Sequence, residues 1–261
     1  MKRWAFLLFA LFCCADLFAT SAVRNPTEDY RAVAKKYLPR IKPWGPLTTR
    51  MATSSAYGLA NAWSTVDTTT TAKESKIDVL FDYIRDRREL TELTDPGFLR
   101  RVSWLYPVDG CWIRAAIVGH WAEREKFSTP SRLFIFGNLN VSTSNSPSGS
   151  VSWWYHVAPV LRNSSGTLMV LDPAINPDKP MEAEDWIKTM VPAVSDATLS
   201  LCSRYAYEPY DDCDSTSNSK DKDAETEIES YLRRERQNLV SMRRDADEEL
   251  GDNPPWKKPV P

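Results

Sequence analysis

Histidine is nearly absent from this chain, with only His120 and His156 in 261 residues. That scarcity already removes a class of functions. Zinc sites need His, Cys and carboxylate ligands in paired, closely spaced sets. Two histidines and scattered thiols lack such spacing, so no metal is predicted. No glycine-rich phosphate loop occurs either, and no cofactor is indicated. Basic charge is not in excess, 33 Lys and Arg standing against 35 Asp and Glu. With no basic patch or nucleic-acid fold signature, a nucleic-acid partner is not expected. Long hydrophobic runs are missing beyond Trp4 to about Cys14, and that one is too short to cross a bilayer comfortably.

The short run has its own meaning. Lys2 and Arg3 precede it, and Thr20-Ser21-Ala22 offers small residues for cleavage, so residues 1–22 read as a secretory signal peptide. The mature protein is expected in the periplasm or outside the cell, not bound to a membrane. Its balance becomes 31 basic against 34 acidic side chains, a net charge of −3. Cys13 and Cys14 leave with the signal. Of the survivors, Cys202 and Cys213 can close a short disulfide loop in an oxidising compartment, which leaves Cys111 as the odd thiol.

Three further regions follow. Residues 23–73 carry Pro26, Pro39, Pro43 and Pro46 and then a Ser/Thr/Ala-rich stretch, and read as a loosely structured leader or linker. Residues 74–214 hold the patterned part. A helix is expected from Glu74, with Ile77, Val79, Leu80, Tyr83 and Ile84 at helical spacing, and Pro96-Gly97 breaks the charged stretch beyond it. Val102 to Tyr106 reads as a short strand, Asp109-Gly110 as a turn with Asp109 as N-cap. The next helix would run from Cys111 to about Lys126, with Ile113, Ala116, Ile117 and Trp121 inward. Strand signals cover Arg132–Val141, Val151–Arg162 and Thr167–Asp172. Residues 215–261 form a charged C-terminal tail whose helix, Lys220 to Leu250, reads as solvated or as a docking helix for a partner, followed by a proline-rich end.

Cys111 is the residue with chemistry to offer. At a helix N-terminus, unpaired N–H groups and the positive end of the dipole stabilise negative charge on sulfur. The same N–H groups can hold the oxyanion formed when a thiolate attacks a carbonyl. A thiol nucleophile needs a base. His120 follows Cys111 by nine positions, about 180° round a helix, and so faces away from it. His156, in Trp153-Trp154-Tyr155-His156-Val157, is then the candidate base.

Asp172, in Asp172-Pro173, is the candidate that orients it, with Asp178 and Asp185 as fallbacks. The link can be argued from register. If Ser164-Ser165-Gly166 is a three-residue hairpin loop with Gly166 left-handed, Asn163 pairs with Thr167. Ala158 then opposes Asp172, and His156 and Asp172 share a face as diagonal neighbours. A four-residue loop would separate them.

Tyr106-Pro107-Val108-Asp109-Gly110-Cys111, followed by Arg114 and Ala115, resembles the nucleophile segment of the bacterial protein-glutaminases (protein-glutamine deamidases). Phe136-Gly137-Asn138-Leu139 with Ser142-Thr143, then Ser152-Trp153 through Ala158, then Leu171-Asp172-Pro173 resemble further pieces of that family in the same order. The likeness covers roughly residues 76 to 190. It implies an α+β fold with a papain/transglutaminase-like core, in which the helix carrying the nucleophile packs on an antiparallel β-sheet. It also implies a Cys111–His156–Asp172 triad that deamidates glutamine side chains of a protein or peptide substrate, behind a pro-segment that masks the site. Arg114 and Trp153 are expected to line the substrate cleft. Rival readings are a transglutaminase, a cysteine protease, and a non-catalytic binding module.

Overall fold

The computed structural model describes residues 21–37, 52–53, 70–87 and 102–250. The apolar core of the signal peptide, Pro39 to Pro46, Ser54 to Thr69, Pro96-Gly97 and the proline-rich end lie outside the described residues. In chain order come α1 (Tyr30–Tyr37), β1 (Ala52–Thr53), α2 (Glu74–Asp86), α3 (Cys111–Arg124), β2 (Ser131–Ser142), β3 (Ser150–Arg162), β4 (Leu168–Val170), β5 (Met181–Glu182), α4 (Ala183–Lys188), β6 (Thr198–Cys202), α5 (Asp221–Ser241) and α6 (Ala246–Leu250).

The strands form one antiparallel sheet in the order β1-β6-β2-β3-β4-β5. β3 lies between β2 and β4 and is buried from Val151 to Leu161. A strand covered on both faces has no need of apolar/polar alternation, which is why its sequence reads as a nearly continuous apolar and aromatic run. α3 packs on β3. It too is buried almost all round, from Cys111 to Gly119 and again at Trp121 and Ala122. The fold is α+β, with the helix that begins at Cys111 set against the antiparallel sheet.

Residues 23–37 differ from the loosely structured leader expected from residue 23, and Ala22, read as the last residue of the signal peptide, pairs with the sheet as well. Arg24 N–H donates to Ser152 O (2.9 Å) and Trp154 N–H to Ala22 O (3.1 Å), so the segment continues the sheet beside the start of β3. α1 follows and packs on β2 and β3. The Arg24 guanidinium, buried, donates to Trp153 O and Leu139 O and fixes the attachment.

The strand expected over Val102–Tyr106 is a series of turns instead. Its N–H groups are taken locally or by distant partners. Trp104 donates to Val102 O, Tyr106 to Ser103 O, and Leu105 to Glu235 Oε1 at 2.7 Å. A ladder partner is therefore not required.

The charged tail is neither solvated nor a free docking helix. α5 lies on α3, burying Ala224, Ile228, Tyr231, Leu232 and Leu239. Burial of each large apolar side chain there contributes about 1.5–3 kcal/mol. Arg204 pins the start of α5 to α3, donating to both carboxylate oxygens of Asp221 (3.0 and 2.8 Å) and to Glu123 (2.6 Å). The helix face that looked available to a partner is covered by the chain itself. Cys202 and Cys213 are disulfide-bonded, and Cys111 is free. Among the described residues no helix is long and apolar enough to cross a membrane.

Candidate active site

Cys111 is the first residue of α3, preceded by Gly110 in the left-handed region at φ 83°. Asp109 does not cap the helix as its sequence position suggested. Its Oδ1 accepts the N–H of the adjacent Gly110 (2.7 Å), and its Oδ2 accepts the Ser21 hydroxyl (3.3 Å). The helix start thus keeps its N–H groups free of a side-chain cap. Burial pushes the Asp109 carboxyl upward, against the Gly110 bond and the Arg114 charge. A carboxylate biased toward its neutral form adds less negative charge beside the thiol.

Arg114, one turn into α3, is buried. Its Nη1 donates to Tyr106 O (3.0 Å) and Asp109 O (2.8 Å), tying down the loop that delivers Cys111. Its Nη2 is buried and takes no hydrogen bond. Trp153, the other residue expected at a cleft, is also buried, and its indole N–H donates to Val108 O at 3.0 Å. Both therefore hold the 106–110 loop.

The register argument for the hairpin holds. β3 and β4 pair as Val160 with Val170, Leu161 with Met169 and Arg162 with Leu168. Asn163 N–H donates to Thr167 O at 2.9 Å, and Gly166 is left-handed at φ 91°. The loop is three residues long, and Asn163 Oδ1 organises it by accepting from Ser165 N and Thr167 N (3.1 and 2.8 Å). Leu171 N–H then donates to Pro159 O, carrying the register to Asp172. His156 and Asp172 meet: Nε2 and Oδ2 are 2.8 Å apart, in a pair almost wholly buried.

The imidazole is stacked against two indoles. Trp153 is stacked at 4.7 Å between centroids and 11° between planes, Trp186 at 5.6 Å and 29°. Burial pulls the His156 pKa down, but the Asp172 charge and hydrogen bond, followed by the Cys111 side chain, carry it up to about 9. Burial likewise acts to raise Asp172, and the His156 charge outweighs it, so the carboxyl sits below its ordinary value. Asp172 engages Nε2 and leaves Nδ1 without a formed hydrogen bond, as the nitrogen available to Cys111.

His120 is elsewhere, as its helical phase predicts. Its ring nitrogens lie 3.5 Å from Asp221 and Glu225 of α5. Asp178 and Asp185 are exposed, and neither is among the groups that shift His156. Among the described residues no cluster of His, Cys, Asp and Glu has the makings of a metal site. Sequence reasoning missed Trp186, whose indole N–H donates to Asp172 Oδ2 at 3.0 Å. Nothing in its local pattern marks it, since the contact spans fourteen positions.

A free thiol at a helix start, an imidazole and a carboxylate come from α3, β3 and the end of the β4 hairpin. That arrangement matches the chemistry of a thiol-dependent acyl-transfer site. Residues 77–190, which contain all three, match the family model described as glutaminase. No curated protein matches the sequence.

Among solved structures, the chain is similar to a mutant pro-protein-glutaminase at 22% identity and TM-score 0.41, over 54% of this chain and 51% of that one. A second pro-protein-glutaminase structure aligns at 18% identity and TM-score 0.46, over 70% of this chain and 65% of that one. The protein-glutaminase of Chryseobacterium proteolyticum aligns at 24% identity and TM-score 0.42, over 57% and 79%. The chain thus spans about half of the first of these relatives.

Proposed function

We propose that this protein is an exported cysteine-dependent deamidase that converts protein-bound glutamine to glutamate. The buried His156–Asp172 pair beside Cys111, inside the glutaminase-family segment, is the observation that carries the reading. Cys111 sulfur attacks the side-chain carboxamide carbon, and the carbonyl oxygen takes up negative charge. Backbone N–H groups at the uncapped start of α3 hold that oxyanion. His156, protonated and held by Asp172, gives its proton to the departing nitrogen, so ammonia leaves and a thioester forms. Water attacks the thioester with His156 now acting as base, releasing glutamate and restoring the thiol. No cofactor enters either step.

Cys111 is only 3% exposed. Arg24, at the start of the expected pro-segment, donates to Trp153 O and Leu139 O and ties that segment to the strand that carries His156. In this reading residues 23–73 act as the masking pro-segment, and removal or displacement of the N-terminal segment admits substrate. Arg114 and Trp153 shape the cleft through the 106–110 loop.

Ammonia release from a denatured protein substrate tests the proposal, using the full chain before and after limited proteolysis, beside Cys111→Ser. Cysteine-dependent ammonia with glutamine-to-glutamate conversion by mass spectrometry is expected. Cross-linked products would instead mean that an amine captures the thioester, as in a transglutaminase. Main-chain cleavage would mean a protease, and no product in any form would leave a binding module.

A further inference from the structure

Trp186 is fully buried on the short helix α4, outside the three residues that carry the chemistry. Its indole Nε1–H donates to Oδ2 of Asp172 at 3.0 Å, and this is the same oxygen that faces His156 Nε2 at 2.8 Å. Its ring is also stacked against the imidazole, as is that of Trp153. Each indole is tethered by its own N–H, Trp153 to the loop before Cys111 and Trp186 to the carboxylate. Thr189 holds the other end of Trp186 by donating its hydroxyl to the Trp186 carbonyl at 2.6 Å.

We infer that Trp186 is a positioning residue for the deamidation proposed above, acting through Asp172. A carboxylate oxygen with a single donor can rotate about its Cβ–Cγ bond, and the imidazole bond to it then lengthens or changes partner. A second donor on the same oxygen restrains that rotation. The two stacked indoles add a further restraint on the tilt of the imidazole. They also keep water from the His156–Asp172 bond, which is stronger for lying in a dry, weakly polarisable setting. Supports of this kind hold a reacting group within the narrow tolerance that catalysis demands.

The inference rests on the Cys111–His156–Asp172 reading, and the experiment separates the two. Trp186→Phe keeps an aromatic slab and loses the N–H. Genetically encoded benzothienylalanine at position 186 keeps the whole bicyclic shape and loses only the N–H, so it serves where Phe disturbs folding. Both are expected to lower kcat by about tenfold, less than the hundredfold or more that loss of acid–base catalysis brings, with KM unchanged. The downfield NMR signal of the His156 ring N–H should broaden or shift upfield in both.

In an Asp172→Asn background the same substitutions should add no further loss, because the group they act through is already altered. Wild-type kcat in the benzothienylalanine enzyme would overturn the inference, as would an equal fold-loss in both backgrounds. Full activity of Asp172→Asn by itself would instead overturn the triad reading.

Discussion

Tyr231 occupies the space into which a side chain at Gly110 would project. A Cβ built on Gly110 would lie 2.7 Å from Cδ1 of the Tyr231 ring, and Gly110 also has φ 83°. The C-terminal helix therefore presses on the residue that precedes the candidate nucleophile, and Glu235 of the same helix accepts the Leu105 N–H in the same loop. The charged tail is in this way a wall of the site.

Gly110→Ala carries two penalties, a left-handed conformation worth about 1–2 kcal/mol and overpacking against Tyr231 worth about 1–3 kcal/mol. It should lower denaturant stability by several kcal/mol and abolish turnover. Adding Tyr231→Ala should restore part of the stability by removing the steric component alone. If the double variant is no more stable than Gly110→Ala, the ring contact is not what excludes a side chain there. Tyr231→Ala by itself should speed alkylation of Cys111 by iodoacetamide, read as thiol loss with time.

The elevated His156 sets the pH dependence. Raised to about 9 in the folded chain by Asp172 and Cys111 against its burial, it contributes stability that is complete below its ordinary value near 6.5. That contribution is lost as pH rises through about 9. Asp172, depressed by His156, contributes stability above the ordinary carboxylate range and loses it as pH falls. In the proposed reaction the proton on His156 follows the same limit, so kcat/KM should decline above about pH 9 rather than above 6.5. Asp172→Asn should move that alkaline limb to lower pH and cut turnover by about a hundredfold or more. An unmoved limb would assign it to another group.

Much of the candidate site's geometry was legible because its determinants are local. Asn163, Gly166 and the alternation on either side of them set the hairpin register, and the register brings His156 to Asp172. Helical phase likewise removed His120. The fold escaped sequence reading where a local pattern is settled by a distant partner. Val102 to Tyr106 has strand-like composition, yet its Leu105 N–H is claimed by a glutamate 130 positions away. The apolar stripe of α5 was visible at Ile228, Tyr231, Leu232 and Leu239, but no periodicity says which surface will cover it. β6, which pairs with β2 on the side away from β3, is a five-residue strand whose existence depends on that non-local ladder. Tyr30–Tyr37 forms a helix in a region read as leader because the sheet gives it something to lie on.

The Cys202–Cys213 disulfide belongs to stability rather than to chemistry. It closes a loop of sequence separation 11, and Ser203 N–H donates to Cys213 O within the same turn. Loop-closure entropy puts its contribution at about 3 kcal/mol. Replacing both cysteines by alanine should lower the denaturation midpoint accordingly while Cys111-dependent ammonia release at low temperature persists. Loss of activity without loss of stability would mean that the Arg204–Tyr207 segment, which anchors α5, transmits strain to Cys111.

Arg132 makes a contrasting case. Its side chain is fully buried on β2, and none of its guanidinium nitrogens has a hydrogen-bond partner. The cation lies over the Tyr207 ring at 4.4 Å. Burial first, with repulsion from Arg204 adding to it, lowers its pKa to about 10. A cation whose folded pKa is depressed destabilises the fold, fully below about pH 10 and progressively less as pH rises toward its ordinary value of 12.5. An apolar residue of similar length removes the desolvation cost and keeps the packing, and such replacements are often neutral or stabilising. Arg132→Met should therefore leave the thermal midpoint at pH 7 unchanged or higher, and bring it closer to that of the wild-type chain as pH approaches 11. A clear drop at pH 7 would show that the aromatic contact with Tyr207 outweighs the cost of burying the charge.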